Sequence, residues 1–406
     1  MRNIYLMAFI SVFLLNSASA QVLTREDSLS SGLIEKNAST VISGYGEAKV
    51  EYDLKLKTGT ANLTRNVLFL GHKFNSKISL FSEMEIEGAK LIGGEPGGEL
   101  AMEQLFLRFN INKDHYLVAG LFIPRIGVIN ENHLPTTFNG NDRPFVETFI
   151  LPSTWRELGV GLYGNIKNIR GLNYSVALLN GLNSAGFANG SGIREGRFEG
   201  RSATASNIAL TGALLYYTGD FRIQASGYYG GSAGLTKRVA DSLLLDYGAF
   251  GTPVAIGEMN LQYQHNGFSF KTLGAMVYIK DADKINRAYA NNTPEQMLGA
   301  YAELGYNVIK AFRKNSEKNL TAFFRYEYLD MNSRIPANGI NNDMLRRQYA
   351  VAGLSYIPVN GVIVKADYVL RMTGEPNPAL IINPYPLQQP YYTDNGFVNL
   401  GIGYSF

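Results

Sequence analysis

Alternation of apolar and polar residues with a period of two, sustained along nearly the whole chain, most narrows what this sequence can fold into. In KISLFSEMEIEGA, Ile78, Leu80, Met84 and Ile86 oppose Glu83, Glu85 and Glu87. GYGEAKVEYDLKL sets Tyr45, Glu47, Lys49, Glu51 and Asp53 on one face against Gly46, Ala48, Val50, Tyr52 and Leu54 on the other. The signal returns in segments beginning at Thr60, Leu100, His115, Arg156 and Leu172 and runs on to FVNLGIGYSF at the C-terminus, about sixteen segments in all. Each reads as a half-buried strand, and helices contribute little.

The connections sort by parity. From the second strand onward, tight turns at 75 to 77, 112 to 114, 218 to 220, 265 to 267 and 358 to 360 alternate with long polar loops. The long ones start near residues 91, 127, 181, 232, 281, 331 and 373. Short connections at one end and long ones at the other are the asymmetry of an antiparallel barrel that crosses a membrane, with turns inside and loops outside. The segments run about 10 to 14 residues, enough for a strand tilted across the hydrocarbon. In lipid only a closed barrel leaves no sheet edge unpaired. The expectation is an all-β transmembrane antiparallel β-barrel of about 16 strands, with short periplasmic turns, long extracellular loops and an in-folded third loop.

Composition agrees. Of 406 residues only 17% are charged, whereas Gly (43), Tyr (25) and Phe (22) are abundant. A soluble chain carries about 25% charge and far more Leu, Ala, Glu and Lys. The first residues, MRN followed by IYLMAFISVFLL and NSASA, read as a secretion signal cleaved after Ala18, Ser19 and Ala20, so residues 1–20 leave and Gln21 begins the mature chain. Residues 21–40 form a short polar periplasmic segment, and 41–406 form the barrel. After the signal, no run reaches the roughly 18 to 20 apolar residues of a spanning helix. The absence of Cys excludes disulfides and thiolate metal sites. A net charge of +3 is too near neutral to imply nucleic acid as a partner.

Motifs that resemble chemistry fit strands and loops better. GVGLYG, 159 to 164, matches a dinucleotide fingerprint, but Leu158, Val160 and Leu162 alternate straight through it, so it belongs to a strand. GGSAG, 230 to 234, matches a nucleophile elbow; the Gly-rich run after it reads as a surface loop, with no partners for Ser232. His72, His115, His133 and His265 show no metal-ligand spacing. No catalytic residue, cofactor or metal is expected.

One stretch abandons the alternation for long. Gly127 to Trp155 contains three prolines, the acids Glu131, Asp142 and Glu147, Arg143, His133 and the chain's single Trp. It follows the fifth strand, where a third outside loop can turn inward and narrow a pore, since channels select by constriction and by rings of charge. A surface cap or a subunit contact are its alternatives. Strand parity puts Glu83, Glu85, Glu87, Arg108, Arg325 and Lys365 on the inner wall facing that loop, with Arg222, Glu327, Asp367 and Arg371 on the same side.

YLVAGLFIPRIGVINENHLPTTF, RPFVETFILPSTWRELGVGLYG, YSVALLNGLNSAGF and GIREGRFEGR resemble the porins of Bacteroidota that are similar to the phosphate-selective porin family. The resemblance runs from about residue 41 to 406 and is strongest from 116 to 201. It implies a sixteen-stranded barrel, usually a homotrimer, with the third loop in the lumen; the phosphate-selective members use an arginine ladder down the wall and lysines near the mouth. Here Glu83, Glu85 and Glu87 and an acidic third loop stand against a modest cluster of Arg194, Arg197 and Arg201.

The expected activity is passive diffusion of small hydrophilic solutes or ions across the cell outer membrane, with anions such as phosphate as the narrower class that the resemblance implies. The expected constriction and lining residues are Glu83, Glu85, Glu87, Arg108, Glu131, His133, Asp142, Arg143, Glu147, Arg325 and Lys365. A barrel enzyme of lipase or protease type and a non-conducting adhesion barrel are the competing readings.

Overall fold

In a computed structural model of the chain, residues 39–88, 99–380 and 391–406 are described. The secretion signal, most of the polar segment after it and the loop that follows residue 88 lie outside the described residues. The strands are β1 (Thr40–Asp53), β2 (Thr58–Lys73), β3 (Ile78–Glu87), β4 (Glu99–Asn110), β5 (His115–Phe122), β6 (Glu157–Asn165), β7 (Leu172–Asn180) and β8 (Ile208–Thr218). They continue as β9 (Phe221–Gly230), β10 (Val254–His265), β11 (Phe268–Ile279), β12 (Gln296–Asn307), β13 (Asn319–Arg334), β14 (Arg346–Val359), β15 (Val362–Thr373) and β16 (Asp394–Ser405).

Every strand pairs antiparallel with its chain neighbours, and β16 returns to β1 with Tyr45 opposite Ser405 and Asp53 opposite Phe397. An even strand count makes this antiparallel closure possible, and closure removes the exposed edges that would otherwise template aggregation. The final residue takes part in the seam: Phe406 N–H donates to Gly44 O at 2.9 Å, and Gly44 N–H donates to Phe406 O at 3.1 Å.

The turn chemistry follows from the sequence. Asn75 Oδ1 accepts from the N–H of Lys77 and Ile78, and Asn112 Oδ1 accepts from those of Asp114 and His115, so each tight turn is fastened by its own Asn. Two connections break the parity. The β1–β2 connection is outside yet only four residues long, 54 to 57, and Asp53 Oδ1 holds the N–H of Lys55 and Leu56. The β12–β13 connection is on the turn side yet carries a one-turn helix, α4 (Val308–Phe312), capped by Asn307. Three further helices lie in outer loops: α1 (Phe145–Phe149), α2 (Lys237–Leu243) and α3 (Ala282–Tyr289).

Outward side chains form an apolar belt: Val50, Leu68, Val160, Leu178, Leu214, Met276, Leu354 and Leu400 are all exposed. Tyr216, Phe268, Tyr306, Tyr404 and Phe406 gather toward the short-turn end, and Tyr52, Tyr229 and Tyr368 toward the long-loop end. Aromatic girdles flanking an apolar band match the two interfaces of a bilayer. Such a surface in water would be an aggregation hazard. In lipid it is solvated.

Candidate functional site

The third outer loop, residues 123–156, lies inside the barrel and is fastened to wall strands around its circumference. Lys49 on β1 pairs with Asp142 at 2.6 Å. Thr154 donates to Glu103 on β4 at 2.8 Å, and Gln224 on β9 donates to Gly127 O at 3.1 Å. Tyr301 on β12 donates to Glu147 at 2.7 Å, and Asn139 donates to Glu303 on the same strand at 3.0 Å. Phe145 stacks on Tyr349 of β14 with ring centroids 3.9 Å apart. Asn141 donates through both its backbone and side-chain N–H to Asp367 on β15, and Thr136 meets Ser405 on β16. The loop breaks the period-two pattern because it obeys two opposite walls at once.

Wall glycines admit it. A Cβ on Gly401 would run into the Asn141 carboxamide oxygen, and one on Gly403 would lie 2.8 Å from Pro135. At both positions the loop sits where a side chain would otherwise stand.

The two halves of the lumen differ. Along β5 to β12 the inward residues Tyr116, Val118, Phe122, Leu179, Tyr228, Ile256, Leu273 and Val277 form one apolar cluster with Ile126, Ile150 and Trp155 of the loop, and beside it Gln224, Ser226 and Asn260 donate to the buried Glu258 carboxylate. Trp155 is fully buried, donates its indole N–H to Glu157 at 3.1 Å and lies against Tyr228. From β13 through the seam to β4 ion pairs stand among apolar residues, with Tyr45, Val67, Phe69 and Phe81 clustered around Leu134 of the loop. Arg325 pairs with Glu303 at 3.1 Å and Glu327 at 2.8 Å and donates to the carbonyls of Asn139 and Asp142, while Glu327 accepts from Val146 N–H. Arg65 pairs with Glu47 at 3.0 Å and Glu85 at 3.3 Å. Lys49, Glu51 and Asp142 keep about a fifth to a third of their side chains exposed, so water reaches this side.

Most of the residues expected at the constriction gather there. Glu83 and Glu85 are buried on the wall, Asp142 meets Lys49 of β1, Arg143 donates to His133 O within the loop at 3.4 Å, and Arg325 locks the loop's far limb. Lys365 is buried with its ammonium 3.7 Å from the Phe138 ring centre, on the Asp367 strand. Glu131 pairs with Arg125 and with Arg222 of β9, nearer the apolar half. Glu87 ends β3 and is exposed toward the outside. Arg108 lies nearer the short-turn end, where it covers the Tyr116 ring and bonds Asn110.

Burial shapes the protonation of the loop. Glu147 is pushed up to about 7, burial outweighing hydrogen bonds from Ile129 N–H, Tyr301 O–H and Val128 N–H. His133 is held down to about 4, chiefly by burial, so its imidazole is neutral at physiological pH.

Parity reasoning missed Glu103. In the β3–β4 ladder Glu83 faces Gln104 and Met84 faces Met102, so Glu103 is the extra residue of a β-bulge. A bulge re-aims a side chain. It brings Glu103, fully buried, to the inner face beside His133. GGSAG is also not a surface loop: Ser232 is buried and donates to Thr252 O at 2.6 Å. The dinucleotide-like glycines lie within β6, as their alternation indicates.

No protein-family model matches the chain. An uncharacterized protein of Aquifex aeolicus is 29% identical over 343 residues, 81% of this chain and 74% of that protein. The anion-selective porin of Comamonas acidovorans is similar in structure, with a TM-score of 0.53 at 11% identity, covering 91% of this chain and 99% of that one. Salmonella typhi OmpF, in complex with daunomycin, gives 0.53 at 12% identity over 90% and 97%. The likeness to the solved structures is one of fold. With the apolar belt and the in-folded loop, it defines the chain as an outer-membrane β-barrel of porin architecture.

Proposed function

We propose that this barrel is a narrow channel that lets small hydrophilic solutes or ions cross the outer membrane passively along the β1 side of its lumen. The carrying observation is an asymmetry of the interior: the loop packs its largest apolar cluster against the β5 to β12 side and turns Asp142 toward Lys49 and Glu51 on β1, which with it keep a fifth to a third of their side chains exposed. Apolar surface excludes ions, whereas a charged, hydrated wall replaces part of their solvation.

The basic groups on that wall are largely committed to carboxylates, Lys49 to Asp142, Arg65 to Glu47 and Glu85, and Arg325 to Glu303 and Glu327. This supports weak discrimination by sign rather than a phosphate-selective arginine ladder. Arg347 over Phe149 and Arg371 over Phe397 add a basic side to the outer mouth. Transport rather than catalysis is supported by Ser232, whose hydroxyl serves a backbone carbonyl. Assembly as a homotrimer belongs to the same reading and rests on the porin resemblance.

Single-channel recording of the purified protein in planar bilayers under a salt gradient tests the proposal. Discrete, small current steps with a reversal potential near zero are expected. A silent membrane despite verified insertion would overturn it and favour a blocked barrel, the reading to which the loop's wall-to-wall fastening also lends itself.

A further inference from the structure

We propose that Glu83, Glu103 and His133 form a binding site for one divalent transition-metal cation, with Zn2+ the best match, and that the bound ion staples the third outer loop to strands β3 and β4. His133 Nε2 lies 3.9 Å from Glu103 Oε2 and 4.0 Å from Glu83 Oε2, and one donor atom from each residue falls within 4.8 Å of the others. Bonds of about 2.0 to 2.2 Å in a tetrahedral zinc site put ligand atoms roughly 3.4 Å apart. Closing that gap takes side-chain movements of about 0.5 Å between the imidazole and each carboxylate and at most about 1.4 Å between the carboxylates.

The second, independent observation is the imidazole itself. His133 is 2% exposed, yet neither ring nitrogen has a hydrogen-bond partner among the described residues. Buried polar groups are nearly always satisfied. A nitrogen lone pair held between two carboxylates is satisfied by a cation. The carboxylates are oriented from behind, as metal ligands are: Gln104 donates to Glu83 at 2.9 Å, Thr154 to Glu103 at 2.8 Å and Tyr45 to Glu103 at 3.0 Å. A cavity of about 100 Å³ lined by Glu83, His133, Asn130 and Glu131 adjoins the site and has room for a water as fourth ligand. The imidazole selects against Ca2+ and Mg2+, which prefer oxygen alone.

The test uses the full barrel refolded in detergent, stripped with EDTA and titrated with Zn2+ alone by calorimetry, with metal content measured after dialysis. One Zn2+ per chain is expected, with affinity reduced at least about 10-fold in His133→Ala and in Glu103→Gln. Binding that survives in both variants, or no stoichiometric binding by the wild type, would overturn the proposal. Should either variant fail to fold, X-ray absorption on the zinc-loaded wild type decides: one imidazole with oxygen donors supports the site, and two or more imidazoles contradict it, because His72, His115 and His265 are all remote in sequence and outside the cluster.

Discussion

The carboxylate of Glu147, on the short helix of the third outer loop, accepts the phenolic proton of Tyr301 on strand β12 at 2.7 Å. The same carboxylate accepts from the backbone N–H groups of Val128 and Ile129, each at 2.7 Å. One side chain thus ties the outgoing limb of the loop to its return limb and both to the wall. Burial makes that knot sensitive to protons.

Glu147 stands at about 7 in the folded barrel, against an ordinary 4.5, because desolvation disfavours its charge. A raised carboxyl contributes stability that is complete below its unfolded value and is lost as pH rises through the folded one. Docking of the loop should therefore weaken from about pH 5 to pH 8, by at most on the order of 3 kcal/mol. Urea unfolding in lipid vesicles across that range should show the trend in the wild type and a flatter one in Glu147→Gln. Equal slopes in the two proteins would refute it.

Arg325 is the only cation within ion-pair distance of Glu303 and Glu327 among the described residues, and it is 1% exposed. Arg325→Met would leave two buried carboxylates uncompensated and free the carbonyls of Asn139 and Asp142. A loss of about 3 to 5 kcal/mol is expected. The same vesicle titration measures it, and a change below 1 kcal/mol would show that the pairings contribute little.

Trp155 reports on the loop's return to the wall, since it is the single Trp and is fully buried. Its fluorescence in the folded barrel should be blue-shifted and poorly quenched by acrylamide. Trp155→Ala should cost about 3 to 5 kcal/mol, having lost both the Tyr228 contact and the hydrogen bond to Glu157. Strong quenching in the native state would place the ring in water and contradict the packing described.

The strands were legible because each lies between lipid and lumen, so one physical demand per face is written directly into alternate residues. The parity of loop lengths was legible for a similar reason: the turns need only reverse the chain, as Asn75 and Asn112 do. The loop's inward course was signalled by its loss of alternation, yet its partners were not. Asn141 with Asp367, or Glu147 with Tyr301, join residues far apart in sequence whose meeting depends on barrel curvature. Glu103 was hidden by the bulge, which inverts the parity on which the reading of β4 relied. The buried Ser232 was hidden because Gly-rich composition reports a permissive backbone and says nothing of what covers it.

In the proposed channel the third outer loop, fastened across the lumen, sets the width of the passage. Replacing residues 130–149 by a short Gly-Ser linker and comparing single-channel conductance with the wild type tests it most directly. A several-fold larger conductance is expected, with insertion and heat resistance retained. A variant that inserts normally and conducts as the wild type does would contradict it.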